Sequence, residues 1–124
     1  MTPSPRRDVL IVDDDPDIRD AVGECLRFEG YGVHAAADGK DALDRLEFGL
    51  RPDVILLDLM MPVLNGFDVL LALQARPEWR SIPVVVVSAN RGYEAEDLSG
   101  AVSILRKPVS VDRLIAAVEQ AVAS

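Results

Sequence analysis

Five short apolar segments, separated by stretches with helical spacing, constrain the fold of this chain more than any other feature. Three of the five contain Val, Ile and Leu without interruption, which is typical of strands buried on both faces of a parallel sheet. The second segment is more mixed, as expected of an edge strand. The segments span residues 9–12, 31–36, 54–59, 84–87 and 102–105.

Apolar residues three and four positions apart between these segments predict amphipathic helices. The clearest stretch has Ile18, Val22 and Leu26 on one face. Asp15 is suited to cap the start of this helix, and Gly30 is suited to end it. Residues 42–50, 67–74 and 111–122 show the same spacing, whereas residues 91–100 predict only a short or irregular fourth helix.

The alternation of strands and helices predicts an α/β fold with a doubly wound, five-stranded parallel sheet. Right-handed crossovers would place helices on both faces of that sheet. We expect Pro77 to stop the third helix and Ser110 to cap the last one. The chain has 124 residues, enough for one domain. We therefore expect residues 1–124 to form a single domain with a core at 8–123.

Charge and composition argue against several classes of function. The net charge of −8 argues against a surface for nucleic acid or an anionic membrane, and the apolar segments are too short to cross a bilayer. The single cysteine, Cys25, allows no intramolecular disulfide, and residues 1–7 lack the apolar segment of a secretory signal. We expect a cytoplasmic protein without direct contact to nucleic acid or membrane.

Polar residues follow four of the five predicted strands. Asp13, Asp14 and Asp15 follow the first, and Asp58, Ser88 and Lys107 stand at or just beyond the ends of the third, fourth and fifth. The carboxyl ends of parallel strands share one edge of the sheet, where ligands bind in such folds. Each residue also has an ordinary interpretation as a helix cap or a surface charge. Their coincidence at one edge favours a functional site.

This set of side chains fits phosphoryl transfer to an aspartate. Carboxylates suit Mg²⁺, and a carboxylate is the nucleophile when an aspartyl phosphate forms. A metal ion and a lysine compensate the charge on the phosphoryl oxygens, and a hydroxyl can bond a remaining oxygen. Hydrolysis of sugars by paired carboxylates fits less well, since it would leave the lysine and the metal without a role.

On these residues the chain resembles the receiver domain of two-component response regulators, over nearly its whole length. The resemblance implies a flavodoxin-like (βα)5 receiver fold, a phosphorelay function and no enzymatic activity beyond self-phosphorylation. The matching motifs are Asp13-Asp14-Asp15, Ala37-Asp38-Gly39, Pro52-Asp53, Asp58-Leu59-Met60-Met61-Pro62 with Asn65-Gly66, Ser88-Ala89 and Lys107-Pro108.

The resemblance assigns the acceptor and the metal ligands by position. Asp58 would be the phospho-acceptor and would also ligate Mg²⁺. Asp14 would ligate the metal directly, and Asp13 would ligate it or hold one of its waters. The backbone carbonyl of Met60 would be a further ligand.

The resemblance also assigns the remaining catalytic groups and the partners. Lys107 would pair with a phosphoryl oxygen, across a cis bond to Pro108, and Ser88 would move to the phosphoryl group. The donor would be a phosphohistidine on a sensor histidine kinase or a phosphotransfer protein. The phosphorylated form would change the binding of a downstream protein partner.

Two departures from the family pattern fall on its usual output face. Ile104 stands three residues before Lys107, where the family often has Tyr or Phe. The segment between Ser88 and Lys107 is also shorter than usual. We therefore expect residues 90–100, rather than an aromatic side chain, to carry the signal.

Two other functions fit part of the pattern. Asp13, Asp15, Ser88 and Lys107 also resemble the loose motif set of haloacid-dehalogenase-type phosphatases, in which Asp13 would be the nucleophile. A receiver-fold module that binds a partner without phosphorylation is the other alternative. Phosphorylation, and the residue that carries it, distinguishes the three.

Overall fold

A computed structural model describes residues 7–59, 65–88 and 100–123. Strands and helices alternate along most of these ranges. The elements are β1 (Asp8–Val12), α1 (Pro16–Phe28), β2 (Gly32–Ala36), α2 (Gly39–Glu47), β3 (Val54–Asp58), α3 (Gly66–Ala75), α4 (Pro77–Arg80), β4 (Val84–Ser88), β5 (Ala101–Arg106) and α5 (Val111–Ala123). All five predicted strands are present, with ends shifted by one residue at most.

The sheet is entirely parallel, with the strand order β2-β1-β3-β4-β5. The prediction of a five-stranded parallel sheet is confirmed, as is the edge position of β2. Val12 lies opposite Leu57, and Asp58 lies opposite Val87. Because the register is shared, the carboxyl ends of the strands meet at one edge, where the predicted site residues lie.

An apolar cluster covers each face of the sheet, because successive side chains of a strand point to opposite faces. Leu10 and Ile55 pack into the cluster beneath α2 and α3. Their chain neighbours Ile11 and Leu56 pack into the cluster beneath α1 and α5. Since both faces are covered, a strand interior needs apolar residues at every position. This explains the uninterrupted Val, Ile and Leu segments.

The helix starts follow the capping residues. Asp15 caps α1 by accepting hydrogen bonds from the amides of Asp17 and Ile18. Ser110 Oγ accepts a hydrogen bond from the amide of Arg113 in α5. Gly30 follows α1 with a φ of 99°, a left-handed conformation that favours glycine. The capping predictions for Asp15 and Ser110 are thus confirmed.

The sequence predicts Pro77 only as the end of the preceding helix, and the short helix α4 is an addition that the structure shows. Proline also suits the first position of a helix, and here it both ends α3 and starts α4. Trp79 buries its ring in the core under α3, and the guanidinium of Arg76 stacks on it at 4.1 Å. Arg76 also pairs with Glu47 of α2 at 2.7 Å, which ties α4 to its neighbour.

The irregular helix predicted within residues 91–100 lies outside the described residues, apart from Gly100. None of the helices described is both long enough and apolar enough to cross a membrane.

Candidate functional site

The acidic loop, residues 13–15, follows β1 and presents its carboxylates at the edge of the sheet. Asp13 is buried, with 6% of its surface exposed, and Asp14 is exposed. The amide of Asp13 donates to the carbonyl of Ala36 at 3.2 Å. Its Oδ1 accepts from the amide of Asp15 at 2.9 Å. These bonds hold one carboxylate inside the site and leave its neighbour facing solvent.

Burial raises the pKa of Asp13, because an apolar surrounding disfavours the charged carboxylate. The amide of Asp15 and the positive charge of Lys107 act against this and lower the pKa. The negative charges of Asp14 and Asp15 raise it further. The negative charges of its two neighbours thus disfavour ionisation of Asp13, and a cation would relieve that repulsion.

Asp58 is the last residue of β3 and is 5% exposed. The Lys107 ammonium approaches it from the end of β5, with Nζ 3.6 Å from Asp58 Oδ2. Lys107 is itself held by its amide, which donates to the carbonyl of Ser88 at 2.9 Å. The peptide bond between Lys107 and Pro108 is cis, as predicted. The buried Asp58 carboxylate thus faces the partly exposed Lys107 ammonium, and a backbone hydrogen bond to β4 holds Lys107 in place.

Carboxylate oxygens of Asp13, Asp14 and Asp58 all lie within 4.8 Å of one another. Hard oxygen donors of this kind suit Mg²⁺, which binds one or two carboxylates and keeps several waters. Asp14 is exposed, so bound waters could remain in contact with solvent. The three carboxylates therefore fit a magnesium ion, because they offer hard oxygen ligands and negative charge.

The structure brings together five of the predicted site residues, and one lies outside the described part of the chain. Asp13, Asp14, Asp58 and Lys107 form the group just described. Ser88 ends the neighbouring strand β4 and is completely buried. Met60, predicted to offer its backbone carbonyl, belongs to residues 60–64, which the structure does not describe. Ile104 lies on β5 opposite Val86 and is 39% exposed.

Two residues that support the site were not predicted to do so from the sequence. The guanidinium of Arg19 donates from NH1 to the carbonyl of Asp13 at 2.7 Å. Gly66, at the start of α3, lies against the backbone of Asp58 and Leu59. Both contacts depend on a backbone approach in three dimensions. The sequence marks one of the two residues, Gly66, only as part of the Asn65-Gly66 motif.

An apolar cavity of about 580 Å³ opens beside the site between α1 and α5. Ile18, Val22 and Leu114 contribute to its walls, and Asp58 and Lys107 also line it. Charges beside such a wall are less well screened than charges in open water. Asp58 and Lys107 therefore lie at the edge of an apolar surface.

Known proteins share both the sequence pattern and the fold. The chain matches the response regulator receiver domain family over residues 9–119. It is 38% identical over 112 residues to the response regulator MprA of Mycolicibacterium vanbaalenii, a match covering 87% of this chain and 47% of MprA. This chain therefore spans about half the length of that relative.

Two solved structures give the same result. The Francisella response regulator 1452 receiver domain superposes with a TM-score of 0.86 at 33% identity, covering 95% of this chain and 98% of that one. The response regulator TrrA of Thermotoga maritima, solved in complex with Mg(2+)-BeF, superposes with a TM-score of 0.82 at 27% identity, covering 93% and 98%. The chain therefore belongs to the response regulator receiver domains of two-component systems, a family that works by phosphorylation-based switching.

Proposed function

We propose that Asp58 accepts a phosphoryl group from a phosphohistidine in a Mg²⁺-dependent reaction, and that this changes the binding of a protein partner. One observation carries the proposal. The buried Asp58 carboxylate has Lys107 Nζ at 3.6 Å and oxygens of Asp13 and Asp14 within 4.8 Å. A carboxylate nucleophile is thus surrounded by a cation and a potential metal site.

The transfer exchanges one bond to phosphorus for another. An oxygen of the ionised Asp58 carboxylate attacks the phosphorus of the donor, and the bond from phosphorus to the imidazole nitrogen breaks. The electron pair of that bond stays on the imidazole, which takes up a proton from solvent. Lys107 stabilises the negative charge on the phosphoryl oxygens, because its ammonium already lies beside the attacking carboxylate.

Asp13, Asp14 and Asp58 would hold the magnesium ion, with the carbonyl of Met60 as a further ligand. A bound Mg²⁺ would offset the negative charge of the phosphoryl oxygens and would orient the donor toward the acceptor carboxylate. The complex of TrrA with Mg(2+)-BeF supports this assignment by similarity. Ser88 ends the strand next to β3, where its hydroxyl would bond a phosphoryl oxygen after transfer.

The partners follow from this chemistry. The donor is a sensor histidine kinase or a phosphotransfer protein, and the output is a protein partner rather than nucleic acid bound directly. Residues 1–124 form a single receiver domain, with its core at 8–123, that acts in the cytoplasm. The chain is a signalling switch and not an enzyme, since its chemistry ends on its own aspartate.

Phosphorylation with a small donor tests the proposal. The parent chain is incubated with acetyl phosphate and Mg²⁺, and its intact mass is recorded. We expect one added phosphoryl group, which is lost in Asp58→Asn and when the metal is chelated. Asp44→Asn is the matched control, because Asp44 is an exposed aspartate on α2 with the same charge. An equal adduct in Asp58→Asn would refute the assignment of the acceptor. No adduct from acetyl phosphate or from a phosphohistidine donor would favour a module that works without phosphorylation.

A further inference from the structure

Three hydrogen bonds fix Asp13 in the acidic loop, and one of them comes from a side chain of α1. The amide of Asp13 bonds the carbonyl of Ala36 in the neighbouring strand, and its Oδ1 accepts from the amide of Asp15. The third bond reaches its carbonyl oxygen from NH1 of Arg19 at 2.7 Å. Arg19 is half-buried on the first turns of α1.

The bond from Arg19 orients the peptide unit that joins the two acidic residues. The carbonyl of Asp13 lies in the plane of the peptide between Asp13 and Asp14, and that plane is rigid. Fixing the carbonyl therefore limits the directions in which the Asp14 side chain can leave the backbone. Magnesium demands nearly octahedral geometry at short distances, so such a limit acts directly on its affinity.

We propose that Arg19 is a positioning residue, which holds the acidic loop in the arrangement that binds Mg²⁺. The inference rests on the proposed function, since it requires that Asp13 and Asp14 take part in metal binding. Arg19 would not itself ligate Mg²⁺, because its guanidinium is a cation without an acceptor atom. It acts through the backbone of Asp13, as groups that orient metal ligands do.

The direction in which Mg²⁺ affinity changes when Arg19 is neutralised distinguishes a positioning role from a purely electrostatic one. Arg19 carries a positive charge near a site for a cation. If it acted only through that charge, neutralising it would strengthen Mg²⁺ binding. If it positions the acidic loop, neutralising it weakens Mg²⁺ binding. The two mechanisms thus predict opposite changes in the same dissociation constant.

The experiment is a calorimetric Mg²⁺ titration of the full chain and three variants. Arg19→Met removes the guanidinium and keeps an unbranched side chain. Arg19→Lys keeps the charge but replaces the planar fork of donors by an ammonium. Arg27→Met is the matched control, because Arg27 is an exposed arginine of the same helix, about 12 Å farther along its axis. Urea unfolding of each variant reports whether it folds.

We expect Arg19→Met to bind Mg²⁺ about tenfold more weakly than the parent, as loss of an orienting partner usually does. Arg19→Lys should show a smaller loss, and Arg27→Met should bind as tightly as the parent or slightly more tightly. Without metal, the amide of Asp15 should exchange hydrogen faster in Arg19→Met, because its acceptor Asp13 Oδ1 is less well held.

An Arg19→Met variant that binds Mg²⁺ as tightly as the parent, or more tightly, overturns the inference and leaves the proposed function standing. If Arg19→Met does not fold, Arg19→Lys decides, and unchanged affinity there overturns the inference. A parent chain that binds no Mg²⁺ overturns the metal role in the proposed function and the inference with it.

Discussion

Replacing Gly66 with alanine would place a methyl group against the backbone of the proposed acceptor. A Cβ at this position lies 2.7 Å from Leu59 Cα and 2.8 Å from the carbonyl oxygen of Asp58. Carbon atoms in good contact are about 3.5–4.0 Å apart, so the overlap is severe. The backbone there cannot yield freely, since the Leu59 amide bonds Val87 and the Leu59 carbonyl accepts from Gly66.

The free energy of unfolding should fall by about 1–2 kcal/mol in Gly66→Ala. Overpacking of a tight contact costs about 1–3 kcal/mol. Against this, alanine lowers the conformational entropy of the unfolded chain, which stabilises the folded protein by about 0.4–1 kcal/mol. The acceptor also moves when the strand end yields, so its phosphorylation by acetyl phosphate should slow by about tenfold or more.

Gly23→Ala is the matched control. Gly23 lies inside α1, and a Cβ there would meet Val33 Cγ1 at 3.4 Å and Arg27 NH1 at 3.5 Å, which are ordinary contacts. Alanine in a helix interior is favoured over glycine by about 0.5–1 kcal/mol. This variant should therefore be more stable than the parent, with an unchanged rate of phosphorylation.

Urea unfolding of both variants, followed by circular dichroism, measures the two changes. The midpoints should move in opposite directions at a constant slope. A Gly66→Ala protein as stable as the parent would show that β3 and α3 separate easily, and the reasoning from close approach would be wrong. Equal destabilisation of both variants would point instead to a general intolerance of added methyl groups.

Three further predictions concern the charges and caps of the site. Lys107→Met should slow phosphorylation of Asp58 by about a hundredfold, because the transition-state charge loses its cation; an unchanged rate in the mass assay would contradict this role. Mg²⁺ at ten times its dissociation constant should raise the free energy of unfolding by about 1.4 kcal/mol, since it binds only the folded acidic loop; urea unfolding with and without the metal measures this, and coincident curves would argue against the site. Asp15→Ala should cost about 1 kcal/mol of stability through loss of the α1 cap, again by urea unfolding; a cost near zero would mean that the amides of Asp17 and Ile18 find other partners.

The fold was predictable because parallel strands covered on both faces leave an unmistakable pattern. The segment of four consecutive valines at 84–87 is apolar at every position, and its side chains serve both clusters in turn. The helix at Pro77–Arg80 was not predicted because a proline can either end one helix or start the next, and the sequence alone does not distinguish the two. Trp79 and Arg76 then stabilise it by a contact that no local periodicity encodes.

The position of the candidate site was predictable for a related reason. In a parallel sheet the residue that ends each strand is carried to the same edge, so Asp13, Asp58, Ser88 and Lys107 could be grouped from strand ends alone. The contacts that support the site could not be predicted from the sequence. Arg19 reaches a backbone carbonyl across a turn, and its position on α1 resembles that of any solvated arginine.

Locating the phosphoryl group on the chain tests the central claim most directly. The protein phosphorylated by acetyl phosphate and Mg²⁺ is treated with borohydride, which reduces an aspartyl phosphate to homoserine, and its peptides are sequenced by mass spectrometry. The account predicts homoserine at position 58 and no reduction of any other aspartate in the chain. Homoserine at position 13 would contradict it, since that is the nucleophile of a phosphatase mechanism.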